Sequence, residues 1–126
     1  MNIEEFRKYC LAKPYVTEEF PFGPDTLVFK VAGKMFALTS LGGSEFTVNL
    51  KCGPEHAIEL RDLYPEIRPG YHMNKKHWNT VSFEGSLNEQ LLRKLINHSY
   101  DLVIGSLPKS KREELGLISG SEFKIE

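Results

Sequence analysis

The sequence predicts a single α+β domain in which an antiparallel sheet, a meander plus a later strand, is packed by three helices. Three successive segments rich in β-branched and aromatic residues are separated by short glycine-containing links, as in a meander. Three other segments carry apolar residues at helical spacing and begin with capping residues or proline. The length of 126 residues is typical of one domain, and no internal repeat or linker divides it.

The first helix is predicted to begin after Asn2, because Glu5 occupies the third helical position of a capping box. The apolar residues that follow at helical spacing are Ile3, Phe6, Cys10 and Leu11. Pro14 predicts that the helix ends before it. Residues 20–25 contain two prolines and one glycine, so a turn or an extended segment is expected there.

The meander is predicted over three strands. Residues 26–31 and 34–39 form a β-hairpin around the link Ala32-Gly33. Residues 45–51 alternate apolar and polar side chains, which is typical of an antiparallel strand with one wet face. The later strand is predicted over residues 78–83, where β-branched and aromatic residues return.

The second helix is predicted to begin at Pro54, since proline suits the first helical turn. Pro65 and Pro69 predict the end of this helix and an irregular segment after it.

The third helix is predicted to be the longest and the most amphipathic. Ser86 and Glu89 have the spacing of a capping box, and Pro108 ends the apolar repeat. Residues 1–112 are assigned to the domain. Residues 113–126 are assigned to a C-terminal tail that is expected to be poorly ordered.

Composition limits the classes of protein that are expected. No apolar run approaches the ~20 residues needed to cross a bilayer, and the N-terminus is acidic, so a cytoplasmic monomer without a membrane partner is predicted. Cys10 and Cys52 are interpreted as buried free thiols. The formal net charge of −1 argues against strong non-specific binding to nucleic acid.

One segment, residues 68–78, combines cations with aromatic rings, and residues 67–83 contain no Asp or Glu. We call it the basic aromatic segment. Its candidate binding residues are Arg68, Tyr71, His72, Asn74, Lys75, Lys76, His77 and Trp78. Cations beside rings are typical of a loop that contacts phosphates and bases. The alternative is a solvated turn flanked by core aromatics.

The sequence of residues 69–81 resembles the most recognisable motif of the MmcQ/YjbR-like proteins. It reads Pro-Gly-Tyr-His-Met-Asn-Lys-Lys-His-Trp-Asn-Thr-Val. Residues 17–23, 27–31, 49–52 and 99–103 are also similar to the family, in the family's order. The resemblance covers residues 1–112.

This resemblance implies an α+β fold with an antiparallel sheet in a double-wing arrangement that suggests DNA binding. For this chain, the resemblance implies that residues 71–78, apart from Met73, contact the DNA. The DNA hypothesis adds phosphate contacts from Arg68 and from a second group of cations, Lys109, Lys111 and Arg112. Because fold analogy alone supports it, the resemblance transfers a hypothesis of function.

Other chemistries find little support in the sequence. His72 and His77 are five residues apart, which suits neither one helical face nor one strand face, so no metal is expected. The adjacent Glu18 and Glu19 are interpreted as surface acids. The prediction is a protein without enzymatic activity or cofactor.

The alternative function is a protein- or small-ligand-binding module. In that hypothesis Tyr71, His72, Trp78 and residues 20–22 line an apolar groove with a cationic rim.

Overall fold

A six-stranded antiparallel sheet and four helices form residues 1–117, the part of the chain that the computed structural model describes. The strands are β1 (Val16–Glu19), β2 (Thr26–Val31), β3 (Lys34–Ser40), β4 (Thr47–Lys51), β5 (Ile67–Pro69) and β6 (Trp78–Ser82). The helices are α1 (Ile3–Leu11), α2 (Pro54–Leu63), α3 (Glu89–Ser106) and α4 (Lys109–Leu115). The strand order is β1-β2-β3-β4-β6-β5. The predicted α+β class with an antiparallel sheet is therefore confirmed.

One face of the sheet is buried beneath the helices. Its strands present alternate apolar residues such as Phe29, Val48 and Val81 to this face, where they join Phe6 of α1 and Ile96 of α3 in the core. The rings of Phe6 and Phe29 meet edge to face with their centroids 5.3 Å apart. Each such buried side chain contributes about 1.5–3 kcal/mol, so the helical layer holds most of the stability.

The intervening residues of the same strands point to the other side, which we call the open face. Strand register assigns thirteen central side chains to it. They are Thr26, Val28, Lys30, Met35, Leu38, Ser40, Thr47, Asn49, Lys51, Arg68, Trp78, Thr80 and Ser82. Some of them, including Val28 and Thr80, are buried although the helices pack on the opposite face. Loops therefore cover part of this face.

The hairpin prediction is confirmed, because β2 and β3 pair around Ala32 and Gly33. Three elements were not predicted: β1, β5 and α4. The prediction of an irregular segment after α2 is wrong at β5. Pro69 lies in this edge strand, where a missing N–H is tolerated.

The predicted cap of α3 is also wrong. Asn88 is the N-cap, since its side chain accepts a hydrogen bond from the N–H of Leu91, and Ser86 contacts Glu66 instead. Helix α4 crosses the predicted boundary between residues 112 and 113. The tail that was expected to be poorly ordered lies, from residue 118 to residue 126, outside the described residues.

None of the helices within residues 1–117 is both long and apolar enough to cross a membrane. Cys10 and Cys52 are free and buried, as the sequence predicts.

Candidate binding site on the open face of the sheet

A groove of about 440 Å³ lies on the open face, between the loop that follows β1 and the loop that precedes β6. Its floor consists of side chains from β2, β3, β4 and β6, among them Met35, Leu38 and Asn49. Phe22 and Tyr71 stand on its two sides and are 64% and 69% exposed. The groove therefore offers an apolar floor with polar edges, between two rings that solvent can reach.

A second cavity of about 340 Å³ adjoins the groove. The two share Thr47, Tyr71 and Thr80, and the second one extends to Arg68 and Glu45. Tyr71 thus lies between two neighbouring depressions. Together they form a path across the sheet from Phe22 to Arg68, which suits an extended ligand as well as a compact one.

Hydrogen bonds to the open face fix the position of Tyr71. Its N–H donates to Thr80 Oγ1 at 2.9 Å, and Asn49 Nδ2 donates to its carbonyl oxygen at 3.3 Å. Thr80 Oγ1 in turn donates to Asn49 Oδ1 at 2.5 Å. The next residue, His72, has a φ of 59°, a left-handed conformation that is uncommon for residues other than glycine. Side chains of the sheet thus hold an unusual turn in place.

Tight turns and one close approach define the rest of this loop. The N–H of Met73 donates to the Gly70 carbonyl and the N–H of His77 donates to the Asn74 carbonyl, each at 3.2 Å. A Cβ on Gly70 would come within 2.8 Å of Trp78 Cβ, so only glycine fits without displacement of the backbone. The loop is therefore closely packed against the start of β6.

Arg61 of α2 holds the loop from the helical side. Its Nε donates to Asn79 Oδ1 at 2.7 Å, and its Nη2 donates to the carbonyl oxygens of Lys75 and Trp78. The loop is consequently tied to both layers of the protein.

Several cations lie on β4 and on the loop before β6, outside the set of residues that line the groove. Lys51, Lys75 and Lys76 form no ion pair with any residue between 1 and 117, whereas Arg68 Nη2 lies 3.6 Å from Glu45 Oε1. Lys75 Nζ donates to the Gly70 carbonyl at 3.2 Å, which directs the ammonium group along the loop. Lys76 is fully available to a ligand, because its side chain is exposed and only its N–H is bonded, to Asn74 Oδ1.

The structure separates the predicted site residues into three groups. Tyr71 and His72 line the groove, and Arg68 lines the neighbouring cavity. Asn74, Lys75, Lys76 and His77 follow in the same loop. The third group, on α4, comprises Lys109, Lys111 and Arg112. Helix α4 is followed by Leu117, which packs against the core, so these cations belong to the helical layer.

Trp78 departs from the binding interpretation and agrees with the alternative, in which it is a core aromatic that flanks the loop. The hypothesis of exposed rings required an accessible indole, but the side chain is only 9% exposed and does not line the groove. Trp78 pairs with Lys51 at the start of β6 and packs beneath the Gly70 turn. Phe22, which the alternative hypothesis placed in a groove with Tyr71 and His72, does line the groove with them.

Three residues that shape the site were not singled out from the sequence: Asn49, Arg61 and Thr80. A signal existed for Asn49, since the alternation of residues 45–51 assigns it to the wet face. Arg61 had no such signal, because its partners are 14 to 18 residues away.

The groups whose pKa values are raised by burial lie in the helical layer, away from the groove. Burial raises the pKa of the Cys10 thiol to about 12, that of Cys52 to about 11 and that of the Asp101 carboxyl to about 6. Among residues 1–117, no group of three or more His, Cys, Asp or Glu could hold a metal ion. The groove itself presents rings, methyl groups, an amide and hydroxyl groups, which are groups that bind a ligand.

A sequence model of the YjbR family matches residues 11–102. The Escherichia coli O157:H7 protein YbdF is 43% identical over 113 residues, which cover 89% of this chain and 92% of YbdF. The chain belongs to the YjbR family. Its relative YjbR of Escherichia coli K12 is 35% identical over 115 residues, 91% of this chain and 98% of that one.

Two solved structures extend the comparison of this YjbR-family chain to the fold. The crystal structure of DR2400 from Deinococcus radiodurans, which carries a DUF419 domain, superposes with a TM-score of 0.88 at 41% identity. The match covers 93% of this chain and 89% of DR2400. A Pseudomonas syringae protein matches with a TM-score of 0.68 at 33% identity, over 79% of this chain and 96% of that one. This chain therefore shares its fold with both proteins.

Proposed function

We propose that this YjbR-family chain binds single-stranded DNA on the open face of its sheet. The observation that carries the proposal is the pair of exposed rings, Phe22 and Tyr71, on either side of a groove whose strand β4 and adjoining loop also carry unpaired lysines. Rings offer stacking faces to bases of any sequence, and lysines neutralise phosphates. The path from Phe22 to Arg68 gives an extended strand room to cross the sheet.

Single strands are favoured over duplex DNA because stacking on a ring requires an unpaired base. The rings of Phe22 and Tyr71 stand beside a floor of strand side chains and are not part of a helix that could enter a major groove. The apolar floor, with Met35 and Leu38, suits the face of a base better than a phosphate.

The test is fluorescence anisotropy with a labelled oligonucleotide, single-stranded and then as a duplex of the same sequence. With three phosphate contacts from Lys51, Lys75 and Lys76, log affinity for the single strand should fall with log salt at a slope of about −2. The variant Phe22→Ala/Tyr71→Ala should weaken binding about tenfold or more, because stacking contributes about 1–3 kcal/mol per base.

Phe20→Ala is the matched control for loss of a ring. Phe20 is 50% exposed and lies two residues from Phe22, but it does not line the groove. It should bind as the wild type does. Absence of binding to either form of DNA at low salt would exclude the proposal, and a preference for the duplex would exclude its single-strand form.

A second candidate, binding of a small apolar ligand, is favoured by the floor of the groove. Its volume of about 440 Å³ falls in the range of ligand pockets, and Met35 and Leu38 supply apolar surface. The fluorescent probe anilinonaphthalene sulfonate distinguishes the two candidates. For a small-ligand site, Leu38→Ala should weaken probe binding and single-stranded DNA should not displace the probe, whereas a DNA site predicts displacement.

A further inference from the structure

Arg61 joins three parts of the molecule through one guanidinium group. It is part of α2, it bonds the β6 residue Asn79, and it bonds the carbonyl oxygens of Lys75 and Trp78, the latter at 3.3 Å. Asn79 is 2% exposed, and its Nδ2 donates back to the Ala57 carbonyl of α2 at 3.5 Å. The helix, the strand and the loop are therefore locked by one continuous polar network.

An arginine is suited to this position because its planar fork carries several donors in fixed directions. The Nε–H points to the side chain of Asn79, while Nη2 reaches two backbone carbonyls. A lysine would keep the positive charge but offers a single nitrogen on a flexible stem. It could not hold the strand side chain and the loop carbonyls in the same geometry.

The end of the loop depends on this contact more than its beginning does. Tyr71 is held by Asn49 and Thr80 of the open face. Beyond it, the loop is held to the sheet by the bond from the Cys52 N–H to the His77 carbonyl at 2.8 Å and by Arg61. Exposed turns with few anchors open at low cost in free energy.

We propose that Arg61 is a positioning residue: it sets the conformation of residues 74–78 and thereby presents Lys75 and Lys76 to a ligand on the open face. Arg61 itself lines neither cavity of the site. Its effect on binding rests on the proposed function, whereas its effect on the loop does not. Binding would benefit because a pre-ordered loop loses less conformational freedom when the ligand arrives.

Trp78 provides a direct readout, because it is the only tryptophan of the chain, it is buried, and its carbonyl is bonded by Arg61. In Arg61→Gln the loop should open, so that acrylamide quenches Trp78 fluorescence more strongly than in the wild type. Affinity for a single-stranded oligonucleotide should fall about tenfold, the cost of ordering one or two freed side chains. Far-UV circular dichroism should stay unchanged.

Two further variants separate geometry from charge. Arg61→Lys keeps the charge and should resemble Arg61→Gln in both quenching and affinity; a wild-type response would overturn the proposal in favour of a charge effect. Arg93→Gln removes an exposed arginine of α3 that pairs with Glu89 and should leave both quantities unchanged. If Arg61→Gln lowers the circular dichroism signal as well, Arg61→Lys, measured below its melting temperature, decides the question.

The outcomes distinguish this inference from the DNA proposal. Suppose that the wild type binds no DNA but Arg61→Gln shows stronger quenching of Trp78. That result supports the role of Arg61 in the loop and rejects only the proposal that the ligand is DNA. Unchanged quenching overturns the positioning role whatever the ligand proves to be.

Discussion

Asp101 is a carboxyl group buried in the middle of α3, where only 5% of the residue is exposed. Its burial raises its pKa to about 6, and Lys13 offsets part of this effect. Lys13 Nζ donates to Asn97 Oδ1 at 2.5 Å. It also lies 4.9 Å from the ring centroid of Tyr9 and 5.0 Å from that of Tyr100. The cluster links the end of α1 to α3, but it keeps a carboxyl group in a site that favours the neutral form.

This pKa shift predicts how stability depends on pH. Because the folded-state pKa of Asp101 lies above that of an unfolded aspartate, about 3.9, the folded state binds more protons between these values. The contribution of Asp101 to stability is therefore fully present below about pH 4 and is lost as pH rises through about 6. Asp101→Asn should remove this loss.

Urea unfolding at a series of pH values measures the effect. The free energy of unfolding of Asp101→Asn, relative to the wild type, should rise between about pH 4 and pH 7 by about 1–2 kcal/mol. Asp62→Asn removes a negative charge from the exposed side of α2 and controls for net charge. A difference between Asp101→Asn and the wild type that stays constant with pH would contradict the prediction.

At the scale of elements, the β2–β3 hairpin contains a conformational cost that one substitution can relieve. Ala32 and Gly33 have φ values of 50° and 83°, so both central residues of the turn are left-handed, as in a type I′ turn. A Cβ makes this conformation costly for alanine, whereas asparagine adopts it more readily. Ala32→Asn should therefore raise the free energy of unfolding by about 0.5–1 kcal/mol in urea unfolding.

Gly33→Ala tests the same explanation in the opposite direction. No atom lies within 4 Å of the Cβ that it would add, so any loss of stability comes from the backbone conformation alone. It should destabilise the chain by about 1 kcal/mol. Destabilisation by Ala32→Asn would show that the turn has a different conformation in solution.

The elements predicted from the sequence are those whose stability is encoded locally. The apolar repeat of α3 and the alternation of β4 each specify one buried face, so both could be read from single segments. Strand β1 has no such pattern: it has four residues, two of them glutamates, and Glu18 is held by the two-pronged contact from Arg7. Strand β5 has three residues and contains Pro69. Short edge strands form because a neighbouring strand offers them a partner.

The candidate site was predictable only in part for a related reason. The sequence identified the loop from its composition, and Tyr71 and His72 do line the groove. Composition cannot tell which side of a ring is covered, so the sequence left Trp78 open as a binding ring or a core aromatic, and the structure buries it against the Gly70 turn. Arg61 was missed because its role depends on a contact between α2 and a loop across the sheet edge.

For the whole molecule, the near-neutral net charge conceals an uneven distribution. The open face and the adjoining loop carry the cations Lys30, Lys51, Arg68, Lys75 and Lys76. Two carboxylates pair with cations of this side, Glu19 with Lys30 and Glu45 with Arg68. A local excess of cations can attract a polyanion although the total charge is balanced.

Two triple variants of equal net charge test where a polyanion binds. Lys51→Gln/Lys75→Gln/Lys76→Gln removes three unpaired lysines of β4 and the adjoining loop. Lys109→Gln/Lys111→Gln/Arg112→Gln removes the three cations of α4, of which Lys109 pairs with Glu113. Each changes the formal charge from −1 to −4, because three positive charges are lost. Long-range repulsion of DNA therefore increases similarly in both. Glutamine can also keep a hydrogen bond to the Gly70 carbonyl in place of Lys75.

The groove variant should bind single-stranded DNA at least tenfold more weakly at low salt, with a salt slope reduced by about 2, because three phosphate contacts are gone. The α4 variant should keep the wild-type slope, since its missing cations lie in the other layer, and should lose only the small affinity due to net charge. Anisotropy titrations at several salt concentrations measure both quantities. The reverse result would move the DNA site to α4. Only direct phosphate contacts make the salt slope depend on which cations are present. Equal slopes in the two variants would therefore mean that net charge attracts DNA without a defined site.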